Sequence, residues 1–224
     1  MTPETNPESG LRLRVNEIFY SIQGESLHAG RPCIFVRLTG CNLRCSYCDT
    51  TYAYFEGRIM DMDEIVSKVA AYGCRLVEIT GGEPLMQEQT PVLVDRLLAS
   101  GLEVLMETNG TYPIDRVSPE CIKIVDIKCP ASGESEKTDF DNISRLKKQD
   151  QVKFVVCDRR DYEFARQVIE RFWPGRPTCP VLISPAFGRL EPDRLAGWIL
   201  EDRMDIRLQL QLHKIIWPHI QRGV

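Results

Sequence analysis

From residue 33 onward, apolar runs of strand length alternate with stretches whose apolar residues share one helical face, and this alternation restricts the fold more than any other feature. Residues 33–38 read as a buried strand. Asp61, with Glu64 three positions on, reads as a helix N-cap; Met62, Ile65, Val66, Val69 and Ala70 fall on one face behind it, and Gly73 closes the helix. Residues 76–80 form the next expected strand. Thr90 and Pro91 then open a helix that turns Val92, Leu93, Leu97 and Leu98 to the core and stops at Gly101. Strands follow over 103–107, 122–127, 153–156, 181–184 and 206–212, with helices over 160–173 and 192–201. Such an order belongs to β/α units on a parallel sheet. The 224 residues fall short of the ~250 of an eight-fold barrel. The expectation is an α/β fold, an incomplete, open (β/α) barrel.

A hydrophobic content of 43% supports one core of this size, and residues 11–224 read as a single domain. Residues 1–10 carry Pro, Thr, Asn, Glu and Ser without apolar periodicity and read as a mobile polar tail. The chain does not open on a basic region followed by an apolar stretch, and no apolar run approaches the ~20 residues that span a bilayer. A cytoplasmic protein with no membrane partner is expected. The formal charge of −4 is mild and the basic residues are scattered, which argues against a nucleic-acid partner and for a small-molecule substrate.

Cys41, Cys45 and Cys48 stand in C-x-x-x-C-x-x-C spacing. Thiolates are the usual ligands of [4Fe-4S] clusters, which normally take four, so three in one loop leave one iron with an open position for a small molecule. A structural zinc ion asks for a further cysteine pair or a nearby histidine, and neither follows Cys48 closely. A disulfide framework conflicts with an odd count of nine cysteines in a chain this long. The other six, Cys33, Cys74, Cys121, Cys129, Cys157 and Cys179, sit singly in or beside apolar segments and read as small buried hydrophobes. In parallel β/α folds, sites form at the C-terminal ends of strands. The cysteine loop, Gly81-Gly82-Glu83-Pro84, Thr108-Asn109-Gly110 and the segment after Asp126 each follow an expected strand, so they should face one cavity.

The cysteine spacing, with Tyr47 before the last cysteine, resembles the signature of the radical S-adenosylmethionine (radical SAM) enzymes. In that superfamily the open iron is chelated by the amino and carboxylate groups of SAM. Gly81-Gly82-Glu83-Pro84 resembles the GGEP motif that hydrogen-bonds the SAM amino group, and Glu107-Thr108-Asn109-Gly110 resembles the ETNG segment beside it. Read alone, both are ordinary turns; their places after successive strands give them weight. The implied fold is the open barrel of the radical SAM type.

Four further segments narrow the resemblance: Ile22-Gln23-Gly24-Glu25, Arg37-Leu38-Thr39-Gly40-Cys41, Cys48-Asp49-Thr50 and Leu210-Gln211-Leu212-His213-Lys214 together resemble the 7-carboxy-7-deazaguanine synthase family. The likeness implies conversion of 6-carboxy-5,6,7,8-tetrahydropterin to 7-carboxy-7-deazaguanine with loss of ammonia, in 7-deazapurine (queuosine) biosynthesis. SAM is used catalytically, hydrogen leaves C6 of the pterin and is later returned, and Mg2+ is required. By resemblance, Ile22, Gln23, Gly24, Glu25, Thr80, His213 and Val224 bind the substrate, and Arg37 pairs with its carboxylate. Tyr47, Asp49, Gly82, Glu83, Asn109, Asp126 and Lys128 are assigned to SAM, Cys41, Cys45 and Cys48 to the [4Fe-4S] cluster, and Thr50 to magnesium. A homodimer and a one-electron reductant such as flavodoxin or ferredoxin are implied as partners.

Where many family members have Ser-Pro-Lys, this chain has Asp126-Ile127-Lys128 followed by Cys129-Pro130, which alters the backbone assigned to SAM there. Two other readings stay open at this point. A glycyl-radical-enzyme activase would act on a protein backbone and have no use for Ile22-Gln23-Gly24-Glu25. A non-catalytic iron-sulfur carrier would want a fourth nearby cysteine.

Overall fold

The computed structural model describes residues 10–224; residues 1–9, most of the segment read as a mobile tail, lie outside the described residues. In chain order the elements are β1 (Arg12–Ile22), β2 (Pro32–Leu38), β3 (Arg58–Asp61), α1 (Met62–Ala71), β4 (Leu76–Gly81), α2 (Thr90–Ala99), β5 (Glu103–Thr108), β6 (Ile122–Asp126), α3 (Asn142–Arg145), β7 (Gln151–Val156), α4 (Arg159–Phe172), β8 (Val181–Pro185), α5 (Pro192–Glu201), β9 (Arg207–Leu208) and α6 (Leu212–Ile216). They build one sheet of nine strands in the order β3-β1-β2-β4-β5-β6-β7-β8-β9. Six successive pairs from β2 to β9 are parallel, while β1 runs antiparallel to both β2 and β3. β3 and β9 stay at opposite edges, so the barrel is open, as expected.

Strand alternation sorts the side chains into two layers. On β2, Ile34, Val36 and Leu38 join a large core that includes Ile65 and Val69 of α1, Leu93 and Leu97 of α2 and Ala165 of α4. Cys33 and Phe35 point the other way, where they meet Phe19, Leu76, Leu105 and Ile124 in a separate apolar cluster. That cluster is a floor inside the barrel. One pleat further along, the strands carry Arg37, Thr80, Glu107, Asp126 and Lys153 in place of apolar residues, and all five line the cavity above the floor. The four cysteines Cys33, Cys121, Cys129 and Cys179 are buried; Cys74 and Cys157 are partly exposed.

The sequence reading missed β1 and β3, and two of its details differ. Asp61 does not cap α1 with its side chain, because its carboxylate pairs with Arg12 at 2.7 Å across the β1–β3 ladder. The strand expected over 206–212 is only two residues long. Its alternating Ile-Arg-Leu-Gln-Leu-Gln-Leu does read as a strand, but β9 has no partner on its outer side. The chain therefore turns, and the Leu212 amide donates to the Gly24 carbonyl at 3.0 Å. This brings α6 against the loop 23–31 and closes part of the gap in the barrel wall.

Candidate active site

The loop 23–31 joins antiparallel β1 and β2 and folds across the barrel. It is closed on itself by Gln23 N to Arg31 O and Gly30 N to Gln23 O, both 2.8 Å. Its far end is fixed where Glu103, at the start of β5, takes Arg31 at 2.6 and 3.0 Å and His28 at 3.1 Å. Its near end presents Gln23, Gly24 and Glu25 to the cavity. A Cβ on Gly24 would stand 2.3 Å from His213 Nδ1, so only glycine lets α6 approach.

The cysteine loop follows β2 at the opposite rim. A Cβ on Gly82 would stand 2.3 Å from the Gly40 carbonyl oxygen and 2.4 Å from Cys41 Cβ, and the Glu83 amide donates to that same Gly40 oxygen at 2.8 Å. The glycine pair thus seats the cysteine loop against β4. Glu83 itself does not line the cavity. Its carboxylate is fully buried and accepts from the Leu85 amide (2.9 Å), the Thr108 hydroxyl (2.9 and 3.0 Å) and the Asn109 amide (2.7 Å). Burial raises its pKa to about 6 in spite of these donors. It organises the turn that carries Asn109, whose amide nitrogen then reaches Asn42 Oδ1 at 3.0 Å beside Cys41.

Every other residue singled out from the sequence lines this one cavity: Ile22, Gln23, Gly24, Glu25, Arg37, Cys41, Cys45, Tyr47, Cys48, Asp49, Thr50, Thr80, Gly82, Asn109, Asp126, Lys128, His213 and Val224. Its volume is about 290 Å³, near the lower end of the roughly 300–1,000 Å³ of a single-ligand pocket.

Charge is arranged with one end distinct from the other. Just above the apolar floor, Lys153 is buried and donates to Glu25 Oε2 at 2.8 Å and to Glu107, with Asp126 Oδ2 at 3.6 Å. Burial opposes its charge, but the Glu107, Glu25 and Asp126 carboxylates outweigh it and hold the lysine protonated. Gln211 completes Glu25 at 2.8 Å, and Lys128 pairs with Asp126 at 2.7 Å. Glu78, buried beneath and bonded to Gln23, has its carboxyl pushed well above the usual range, first by burial and then by Glu107 and Glu25. Nearer the cysteines, Arg37 donates from Nε to Glu17 at 2.8 Å, Glu17 also accepts from the Tyr52 hydroxyl at 3.0 Å, and Asp49 is held by Thr50 (2.9 Å) and Lys214 (2.8 Å).

Glu17, Tyr52, Glu78, Glu107, Lys153 and Gln211 escaped the sequence reading as site residues. A signal existed for two of them: Glu78 and Lys153 are charges inside apolar strand runs, Leu-Val-Glu-Ile-Thr and Val-Lys-Phe-Val-Val, at inward-facing positions.

The donor set fits a cluster and a polar ligand. Cys41, Cys45 and Cys48 are free, partly exposed thiols on one wall. Tyr47 Oη and Asp126 Oδ1 are buried in this cavity without a hydrogen-bond partner among the described residues, a state that polar atoms rarely keep unless a ligand or water serves them.

Comparison with known proteins agrees. The Radical SAM superfamily profile matches residues 35–125. The 7-carboxy-7-deazaguanine synthase of Koribacter versatilis is 47% identical over 228 positions, covering 95% of this chain and 100% of the relative. That of Chlorobaculum tepidum is 46% identical over 216 positions, covering 95% and 97%. The crystal structure of QueE from Escherichia coli superposes with a TM-score of 0.76 at 24% identity, covering 91% of this chain and 96% of that one, which speaks to the fold. This chain therefore belongs to the 7-carboxy-7-deazaguanine synthase family of radical SAM enzymes.

Proposed function

We propose that the protein converts 6-carboxy-5,6,7,8-tetrahydropterin to 7-carboxy-7-deazaguanine with loss of ammonia, in the cytoplasm, as a homodimer served by a flavodoxin- or ferredoxin-type reductant. The observation that carries this reading is the convergence of the cysteine loop and the Gln23-Gly24-Glu25, Arg37 and His213 positions on one cavity. Cys41, Cys45 and Cys48 would hold a [4Fe-4S] cluster and Tyr47, Asp49, Gly82, Asn109, Asp126 and Lys128 would hold SAM; when bound, the pair supplies one-electron cleavage of the sulfonium.

The chain's own part is positioning. Glu17 fixes Arg37 by Nε alone, and no protein partner takes either terminal nitrogen among the described residues, which leaves a planar donor edge suited to a carboxylate. Glu25, kept ionised by Lys153 and His213 against its burial, offers an acceptor for N–H groups of a pterin ring. Thr50 contributes one neutral oxygen for Mg2+, so substrate and water must complete the shell. Ile22, Gly24, Thr80, His213 and Val224 enclose the remaining edges. Anaerobically reconstituted protein mixed with the carboxypterin, SAM, Mg2+ and dithionite should yield 7-carboxy-7-deazaguanine by mass spectrometry. SAM cleavage without that product would overturn the substrate assignment.

A further inference from the structure

The cysteine loop has bonds of its own, from the Cys48 amide to the Cys45 carbonyl at 3.1 Å and from Arg44 Nη1 to the Cys41 carbonyl at 2.8 Å, and distant chain supplies the rest. Ser46 lies between Cys45 and Cys48, and each of its polar atoms is engaged by distant chain. Its amide donates to the Ser132 carbonyl at 2.9 Å and its hydroxyl to the Ala131 carbonyl at 2.7 Å. Its carbonyl accepts from Arg189 Nη2 at 2.7 Å, and Arg189 Nη1 reaches its hydroxyl at 3.2 Å. In the other half of the loop, the Arg44 amide donates to Glu134 Oε1 at 2.6 Å. The segment 131–134 is braced in turn: Asp161, fully buried at the start of α4, accepts from the Ala131 amide and the Cys157 amide, each at 2.9 Å.

We propose that Glu134 and Arg189 are positioning residues that preset the cysteine loop to receive its cluster, one gripping each half of the C-x-x-x-C-x-x-C run. Both act through residues that are not ligands, Glu134 through the Arg44 amide and Arg189 through the Ser46 carbonyl and hydroxyl. Glu134 has 10% of its side chain exposed and uses one oxygen for Arg44 and the other for Lys137 at 2.7 Å, on the solvent side. The inference rests on the cluster assignment, and its first readout is independent of it.

In the cluster-free protein, hydrogen exchange at the Arg44 amide measures the grip directly, since a hydrogen bond to a charged group slows local opening by about 10- to 100-fold. Glu134→Ala should speed exchange there by that factor, and Arg189→Ala, by freeing the Ser46 carbonyl and hydroxyl, should speed exchange several-fold at the Ser46 amide, which donates to the Ser132 carbonyl. Glu134→Gln, which keeps an acceptor oxygen without the charge, should fall between, and Lys137→Ala should match wild type. The thermal midpoint should fall by no more than the several degrees that one lost bond of this kind implies. After reconstitution, Glu134→Ala and Arg189→Ala should release iron to a chelator several-fold faster. Wild-type exchange at Arg44 in Glu134→Ala would overturn the proposal, as would faster exchange spread over the whole sheet with a midpoint lowered beyond that, because that marks a general structural role. Faster local exchange with unchanged iron release would remove the link to the cluster. Failure of every variant, wild type included, to take up iron would strike the cluster assignment instead.

Discussion

Arg37 reaches the cavity with one edge taken by Glu17 and the other free, and its guanidinium carbon lies 5.7 and 6.0 Å from the ring centroids of Phe19 and Tyr52. Replacing it by alanine removes the fork and leaves the Glu17 carboxylate without its cation. Arg37→Ala should lower kcat/KM for the carboxypterin by a factor equivalent to roughly 2–5 kcal/mol, with Arg37→Lys recovering part of it. Steady-state kinetics alongside SAM binding by calorimetry checks this, and SAM affinity should be unchanged. Glu83 gives a prediction of a different kind. Its folded pKa of about 6 lies above the ordinary 4.5, so the folded state binds the proton more tightly and stability falls as pH rises from about 4.5 to 6. The ionised form costs roughly 2 kcal/mol relative to the neutral one. Wild type should lose about that much relative to Glu83→Gln between pH 4.5 and 7 in urea titrations, and a constant difference would contradict the assignment.

At the scale of elements, β5, β6 and β7 set Glu107, Asp126 and Lys153 on one inward tier, and the loop 23–31 brings Glu25 to the same ammonium. Lys153→Met strands Glu25 and Glu107 in a buried place. It should cost about 3–5 kcal/mol at neutral pH, the usual penalty for removing one partner of a buried pair. The stranded carboxyls would take up protons above their ordinary pKa, so the deficit should shrink as pH falls toward 5; a deficit independent of pH would argue against the tier. Most of this tier was hidden from the sequence. The parallel strands were legible because their apolar runs are flanked by helix caps and glycine stops. The cysteine loop was legible because ligand spacing is local. β1 was not, since Arg12–Ile22 mixes charged and apolar residues on a strand that faces the site on one side and is only partly paired on the other. Nor could spacing show that Glu83 works from beneath the Thr108-Asn109 turn, as its partners lie 25 and 26 residues away.

Across the whole molecule, β3 and β9 stay unpaired at the two edges of the sheet, and the end of β1 meets the turn after β9 through the Leu212 amide and the Gly24 carbonyl, with Gly24 and His213 both facing the cavity. No helix among the described residues is long and apolar enough to cross a membrane. If Thr50 helps hold Mg2+ against the substrate at one rim of this enclosure, Thr50→Val should depress formation of the deazaguanine more than SAM cleavage; equal loss of both would count against it. The central claim is that the cysteine wall and the charged tier bring SAM and the carboxypterin together in one enclosure. It is tested most directly with substrate deuterated at C6. The account predicts that deuterium passes into SAM during turnover while SAM is not consumed in proportion to product. Unlabelled 5′-deoxyadenosine accumulating while the pterin keeps its deuterium would contradict it.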